Sequence, residues 1–245
     1  MNFKFQHFVL LLFCVLLSCT SDDYAPIDYT SEEEPEEIEE PIGIQEPIKY
    51  LALGDSYTIG QGVEESERWP NQLIVELETN DFTVENSEII AQTGWRTSNL
   101  INAIDNSNPQ DFNLVSLLIG VNNQFNNQNF DVFISEFNEL LQKSISIAGN
   151  SGRVFVVSIP DYGVTPFGNS WGNPEQIASE LDAYNNYMMQ RCAELNIPFI
   201  NITEISRDLG DSEGALASDN LHPSGAQYTL WVEEILPVVL ELITD

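Results

Sequence analysis

The side chains of one serine, one histidine and one aspartate in this sequence could together carry out nucleophilic catalysis. Ser56 directly follows the apolar segment 50–53 and a Gly54-Asp55 pair. A serine hydroxyl is a weak nucleophile and needs an adjacent general base. The chain has two histidines, and His222 is the only one beyond the N-terminal ten residues. Asp219 lies three residues before it, where a carboxylate could accept the second ring N–H and fix the tautomer. These residue types indicate nucleophilic acyl transfer.

Four short motifs surround these residues and occur in one order along the chain. They are Gly54-Asp55-Ser56, Gly94 in a Thr-Gly-Trp turn, Gly120-Val121-Asn122-Asn123, and Asp219-Asn220-Leu221-His222. The order and content resemble blocks I, II, III and V of the SGNH/GDSL hydrolases. The G-x-S-x-G pattern of α/β-hydrolases is not met, because Thr58 stands where its second glycine would be.

The resemblance implies a role for each matched residue. Ser56 is the expected nucleophile, and His222 and Asp219 complete a catalytic triad. The backbone N–H groups of Ser56 and Gly94 and the side-chain amide of Asn122 are expected to bind the oxyanion. The resemblance implies neither a metal ion nor an organic cofactor.

One residue departs from the family pattern and another has two interpretations. Asn123 stands where the family usually has a supporting aspartate, so the geometry of this loop is open. Asp55 is expected to bond the backbone around its turn, the alternative being a second catalytic acid.

The elements that position these residues follow from the alternation of apolar runs and helical patterns. Five strands are predicted, and the third is apolar on both faces, as in a central parallel strand. Their ranges are 48–54, 82–90, 112–120, 153–159 and 198–202. The pattern predicts a three-layer α/β/α sandwich, residues 49–245, around a parallel, flavodoxin-like sheet of about five strands. In such sheets ligands bind at the carboxyl ends of strands where the strand order reverses.

Several further residues have both a functional and a structural interpretation. Arg96 could contact substrate or lie on the surface, and the polar loop 122–129 could contact substrate or only water. Trp95, Trp171 and Tyr57 could stack on a sugar ring or pack as a lid. Cys192 lies on the apolar face of a predicted helix and is expected in the core.

Composition excludes several classes of partner. The chain has 8 basic and 39 acidic residues, a formal net charge of −31. A surface this negative repels phosphate backbones, so nucleic-acid binding is not expected. The three cysteines are Cys14, Cys19 and Cys192, which leave no pair for a disulfide within the domain and no zinc cluster.

The N-terminus predicts export and a lipid anchor. Residues 1–18 combine Lys4 with a long apolar run, which is typical of a signal peptide. Leu16-Leu17-Ser18-Cys19 resembles the lipobox of bacterial lipoproteins, in which the cysteine is lipidated; an ordinary signal with an incidental cysteine is the alternative. Ser21-Asp22-Asp23 resembles an export tag of surface lipoproteins in the Bacteroidetes group. Residues 19–48 hold eleven acidic side chains and four prolines, which favours a solvated tether.

These features predict a serine esterase anchored at Cys19 in a bacterial cell envelope, at the outer membrane and exposed at its surface. The favoured substrates are O-acetyl or short-chain esters on carbohydrate, either small molecules or polysaccharides. A lysophospholipase- or thioesterase-like lipase is the enzymatic alternative. A non-catalytic, glycan-binding surface lipoprotein is the alternative from another class.

The anchor is directly testable. Full-length protein should enter the membrane fraction and the detergent phase. Cys19→Ala should remain unlipidated and leave that phase, because no other cysteine stands directly after the predicted signal peptide. The measurement is detergent partitioning with mass spectrometry of the mature N-terminus. Soluble wild-type protein with an unmodified Cys19 would contradict the assignment.

Overall fold

The computed structural model describes residues 46–244, which form five strands and nine α-helices. The strands are β1 Ile48–Gly54, β2 Val84–Ala91, β3 Leu114–Leu118, β4 Val154–Val157 and β5 Phe199–Ile200. The helices are α1 Ser56–Ile59, α2 Trp69–Thr79, α3 Thr97–Ser107, α4 Val121–Phe125, α5 Phe130–Ala148, α6 Pro166–Trp171, α7 Pro174–Glu194, α8 Thr203–Leu209 and α9 Gly225–Thr244.

All five strands are parallel, in the order β2-β1-β3-β4-β5. Strand β2 therefore lies on one side of β1, whereas β3, β4 and β5 follow one another on the other side. Gly54 at the end of β1 pairs with Ala91 of β2 on one side and Leu118 of β3 on the other. The loops that leave β1, β2 and β3 consequently start side by side, at the reversal of strand order.

Helices cover both faces of this sheet, so the predicted three-layer α/β/α sandwich is confirmed. Helix α2 packs against α9, and α3 packs against α5. This pairing follows from right-handed crossovers, which put the helix after β1 and the helix after β2 on opposite faces.

The core explains why these segments became strands. Every residue of β3 and β4 is buried, as expected for two strands in which Ser116 is the only polar residue. Edge strand β2 exposes its middle residues 85–88 to solvent. Cys192 lies in the core as expected, and burial raises the pKa of its thiol to about 12.

Except in β1, strand boundaries differ from the sequence prediction at one end or both. Strands β3, β4 and β5 are shorter than predicted, because residues flanking each apolar run already belong to loops or helices. The last helix, α9, contains Pro237 and ends at Thr244. Ser224 precedes it, and its Oγ accepts the Gln227 N–H at 3.2 Å.

The predicted signal peptide and Cys19 lie outside the described residues, as does nearly all of the predicted tether. Among the helices that are described, none is long and apolar enough to cross a membrane.

Candidate active site

Ser56 is the first residue of α1, directly beyond the carboxyl end of β1. At this position its own N–H has no partner within the helix. The turn needs Gly54: a Cβ there would lie 2.1 Å from Thr58 Oγ1 and 2.6 Å from the Leu118 carbonyl oxygen. The Gly-Asp-Ser sequence thus lets the chain fold back tightly against β3. The turn holds Ser56 at the edge of a cleft.

Asp55 shapes this turn from a fully buried position. Its Oδ1 accepts the Tyr57 N–H at 3.1 Å and caps α1. Its Oδ2 has no hydrogen-bond partner among the described residues. Burial raises the pKa of Asp55 to about 7, although backbone hydrogen bonds, first that of Tyr57, lower it in part. Asp55 does not line the cleft, so it has the expected structural role.

Asp219 and His222 form a close pair on the loop before α9. The Asp219 Oδ2 to His222 Nδ1 distance is 2.6 Å, while Oδ1 accepts the N–H groups of Leu221 and His222, each at 3.0 Å. Burial alone would raise the pKa of Asp219, but these hydrogen bonds outweigh it and hold the pKa below its usual value. Asp219 is therefore ionised at neutral pH.

The loop itself is fixed at both ends. The Ala217 N–H donates to the His222 carbonyl at 2.8 Å, and Leu216 pairs with Pro223 in an antiparallel bridge. The His222 ring meets the Tyr57 ring edge-on at a centroid distance of 5.6 Å. With Nδ1 held by Asp219, Nε2 is the ring nitrogen left for the cleft.

Ser56 and His222 line the same cleft, whose empty volume is about 630 Å³. Gly94 and Asn122 line it too, so the structure brings the candidate nucleophile, base and oxyanion donors together. Within residues 46–244 no hydrogen bond joins Ser56 Oγ to His222 Nε2. Such bonds are often long in ligand-free enzymes and tighten around substrate.

The two other oxyanion candidates reach the cleft from β2 and β3. Gly94 has φ +81°, a left-handed conformation that glycine adopts without strain, and no atom lies within 4 Å of the place of a Cβ. Asn122 donates from Nδ2 to the Trp95 carbonyl at 3.0 Å. A side-chain amide has two N–H groups, so this bond orients Asn122 and leaves one N–H for a ligand.

The departure at Asn123 has a structural explanation. This buried side chain accepts the Thr97 N–H at 3.1 Å and donates to Thr97 Oγ1 at 2.5 Å and to Gln128 Oε1 at 2.8 Å. The Thr97 hydroxyl in turn donates to the Glu136 carboxylate. Because the single hydroxyl proton points to Glu136, Asn123 must supply a proton to Thr97, which an ionised aspartate could not do.

Of the other candidates from the sequence, Arg96, Trp95 and Trp171 do not line the cleft. Arg96 is exposed and precedes α3, and Trp95 is half-buried against the core. Tyr57 does line the cleft. In the described part of the chain, no three His, Cys, Asp or Glu side chains are grouped as metal ligands.

Sequence reasoning missed most of the apolar cleft wall. Its unpredicted members are Val121, Tyr162, Phe167 and Leu221, together with the polar Gln61 and Thr93; Phe125 lies in the polar loop whose role was open. The Tyr162 hydroxyl donates to Gln124 Oε1 at 2.9 Å, which joins the loop after β4 to α4. Thr93, Val121 and Leu221 lie within the motifs but at positions to which the motifs assign no role. No motif marks Gln61, Tyr162 or Phe167, which reach the cleft only through the fold.

The fold and this cleft define a hydrolase class built on a doubly wound parallel sheet with a serine at its carboxyl edge. The GDSL-like lipase/acylhydrolase family profile matches residues 52–230, so the chain belongs to that family and is a carboxylic ester hydrolase. No curated protein sequence matches the chain significantly.

Solved structures share the fold at low sequence identity. A lipase from a goat rumen metagenome is 18% identical, with TM-score 0.63, over 78% of this chain and 97% of its own. A family 3 carbohydrate esterase of Clostridium thermocellum is 20% identical, with TM-score 0.61, over 81% and 98%. An acetyl xylan esterase of Geobacillus stearothermophilus, solved as a variant with one tryptophan replaced, is 17% identical, with TM-score 0.58, over 78% and 94%.

Burial of Asp55 predicts a pH-dependent stability. Its pKa is about 7, against an ordinary value of 3.8. Between these values the folded state binds a proton that the unfolded state does not, so this residue lowers stability as pH rises. Asp55→Asn should therefore raise the urea midpoint above that of wild type by more at pH 8 than at pH 5. An equal difference in midpoint at both pH values would contradict the burial effect.

The Asn123 network predicts a compensating pair of substitutions. Asn123→Asp should cost about 2 kcal/mol of unfolding free energy, because it removes a buried donor and faces a second carboxylate. Adding Glu136→Gln should restore at least half of the loss. The amide at position 136 can donate to Thr97 Oγ1, so the Thr97 hydroxyl proton becomes free to bond the carboxylate introduced at position 123. Urea unfolding of the four proteins gives the coupling energy.

Glu139→Gln is the matched control for this pair, because Glu139 lies on the same helix and pairs instead with Lys143. It should not rescue Asn123→Asp. Zero coupling between positions 123 and 136 would rule out the proposed direction of the hydrogen bonds.

Proposed function

We propose that this protein is a serine esterase in which Ser56 attacks the ester carbonyl, His222 acts as general base and Asp219 orients His222. The observation that carries the proposal is the 2.6 Å Asp219–His222 pair opening onto the cleft that also holds Ser56, Gly94 and Asn122. This is the set of roles that acyl transfer by a serine requires.

Acylation begins when His222 Nε2 takes the Ser56 proton as Oγ forms a bond to the carbonyl carbon. The imidazolium that results lies against the ionised Asp219 carboxylate, which stabilises its charge. His222 then gives the proton to the alcohol oxygen as the ester bond breaks. In the second half, His222 takes a proton from a water molecule as the water oxygen bonds to the acyl carbon. The bond between that carbon and Ser56 Oγ then breaks, His222 returns the proton to Oγ, and the carboxylic acid leaves.

The negative charge on the tetrahedral intermediate needs donors that are already in place. The Ser56 N–H at the start of α1, the Gly94 N–H and the free N–H of Asn122 are the proposed three. Asn122 is held by the Trp95 carbonyl before substrate arrives, so little reorganisation is needed during the reaction.

We further propose that the substrate is a short-chain or O-acetyl ester on carbohydrate. A net charge of −31 disfavours anionic substrates and is compatible with neutral glycans. Two of the structures with this fold carry the names of a carbohydrate esterase and an acetyl xylan esterase, which supports the same class. Hydrolysis of 4-nitrophenyl esters of increasing chain length, beside acetylated xylan, tests the class against a lipase.

The lipid anchor at Cys19 and a surface location in a bacterial envelope are also proposed. They rest on the Leu16-Leu17-Ser18-Cys19 sequence and the acidic residues that follow it. An extracellular enzyme held on a lipid would act on polymers that cannot enter the cell.

The triad predicts strongly non-additive losses. Ser56→Ala and His222→Ala should each lower kcat by several orders of magnitude, up to ~10⁶, and the double variant should be hardly worse. Asp219→Asn should lose less, roughly 10⁴, since the backbone still supports the loop. Asn122→Ala should lose roughly 10²–10³ in kcat yet still label with a fluorophosphonate.

The control is Ser66→Ala, an exposed serine outside the cleft, which should keep wild-type kcat and labelling. A metal chelator should leave the rate unchanged. Near-wild-type hydrolysis by Ser56→Ala would overturn the mechanism, and an unlabelled wild type would favour a non-catalytic binding protein.

A further inference from the structure

Three aromatic rings lie beside one another at the rim of the cleft. Phe125 ends α4, and Phe167 and Trp171 lie on α6. The Trp171 ring centroid is 5.5 Å from Phe125 and 5.9 Å from Phe167, with interplanar angles of 26° and 10°. Phe125 and Phe167 are themselves 6.2 Å apart. We call these three residues the aromatic strip.

The aromatic strip joins the catalytic cleft to the surface. Phe125 and Phe167 line the cleft together with Ser56 and His222. Trp171 stacks on both phenylalanines and is 66% exposed, the largest value among the exposed large apolar side chains that the structure describes. A continuous apolar path therefore runs from the candidate nucleophile to an exposed indole.

Helix α6 holds the strip firmly against the site. Thr165 Oγ1 accepts the Gly168 N–H at 3.1 Å, and a Cβ on Gly168 would lie 2.0 Å from the Tyr162 carbonyl oxygen, so this helix packs flush on the preceding turn. The Phe167 N–H donates to the Asn220 carbonyl, on the loop of Asp219 and His222. The orientation of the exposed indole is thus tied to the catalytic loop.

Leaving such a ring in water forgoes the free energy that its burial would yield. A single exposed apolar residue is common and needs no explanation. Trp171 differs because it extends a stack that begins inside the cleft, and because exposed polar side chains adjoin it in sequence: Asn126 and Asn127 follow Phe125, and Asn169 and Ser170 precede Trp171.

We propose that the aromatic strip is a subsite for a pyranose ring of the glycan that carries the ester, a proposal that rests on the esterase function above. A sugar ring presents C–H groups on one face and hydroxyls around its edge. It can stack on a flat aromatic surface while its hydroxyls bind water or nearby amides. An alkyl chain gains most when apolar walls enclose it on all sides, and Trp171 offers only one side.

The test compares substrates that do and do not reach Trp171. Trp171→Ala should keep kcat/KM for 4-nitrophenyl acetate within about twofold. On acetylated oligosaccharides of xylose, glucose or mannose, KM should rise about five- to tenfold for at least one sugar, with kcat little changed. Trp171→Phe should retain most of the affinity, because it keeps a flat aromatic face.

Met189→Ala is the matched control, since Met189 is 46% exposed on α7 and lies outside the cleft. It should change neither reaction. If Trp171→Ala impairs 4-nitrophenyl octanoate and none of the saccharides, the strip binds acyl chains and the proposal is wrong. It is equally wrong if no substrate in the panel responds.

A binding measurement separates this proposal from the catalytic one. Deacetylated xylotriose, cellotriose and mannotriose are titrated into Ser56→Ala protein and into Ser56→Ala/Trp171→Ala protein, with tryptophan fluorescence and calorimetry as readouts. At least one sugar should bind the first protein and bind the second five- to tenfold more weakly. Absent or equal binding overturns the subsite even if wild type hydrolyses 4-nitrophenyl acetate. If wild type does not hydrolyse that ester, the esterase mechanism fails separately.

Discussion

Strand β1 pairs with β2 on one side and β3 on the other, and the candidate site depends on this arrangement. Because all three strands run in one direction, the loops that follow them start at one edge of the sheet. Ser56, Gly94 and Asn122 each follow one of these strands within a few residues. Main-chain hydrogen bonding in the sheet therefore sets the spacing of three groups that are 38 and 28 residues apart in sequence, before any side chain contributes. The Asp219–His222 loop is added from the far end of the chain.

Much of this arrangement could be predicted because short segments of the sequence determine it. The largely apolar run of β3, in which Ser116 is the only polar residue, indicates a central strand, and the Gly54-Asp55-Ser56 turn identifies the end of β1. The pairing of His222 with Asp219 follows from a spacing of three residues. The structure confirms the fold, while the catalytic roles stay predictions.

Contacts between segments that are distant in sequence could not be predicted from such local patterns. In the sequence, Asn123 is only a departure from the family's usual aspartate. In the structure, its bonds to Thr97 and Gln128 make it part of a network that includes Glu136. The stacking of Trp171 on Phe125 joins residues 46 positions apart, and each lies in a polar segment without periodicity. Strand ends were overestimated because apolar residues continue into buried loops, as at Ile159 after β4.

The direction of β1 has a consequence for where the described chain begins relative to the cleft. The described chain enters the sheet at Ile48, and Ser56 lies beyond the opposite end of the same strand. The two ends of this seven-residue strand are about 20 Å apart. The entry point of the described chain is therefore remote from the cleft, so a fusion partner joined just before Ile48 would begin about the length of β1 away from the candidate nucleophile.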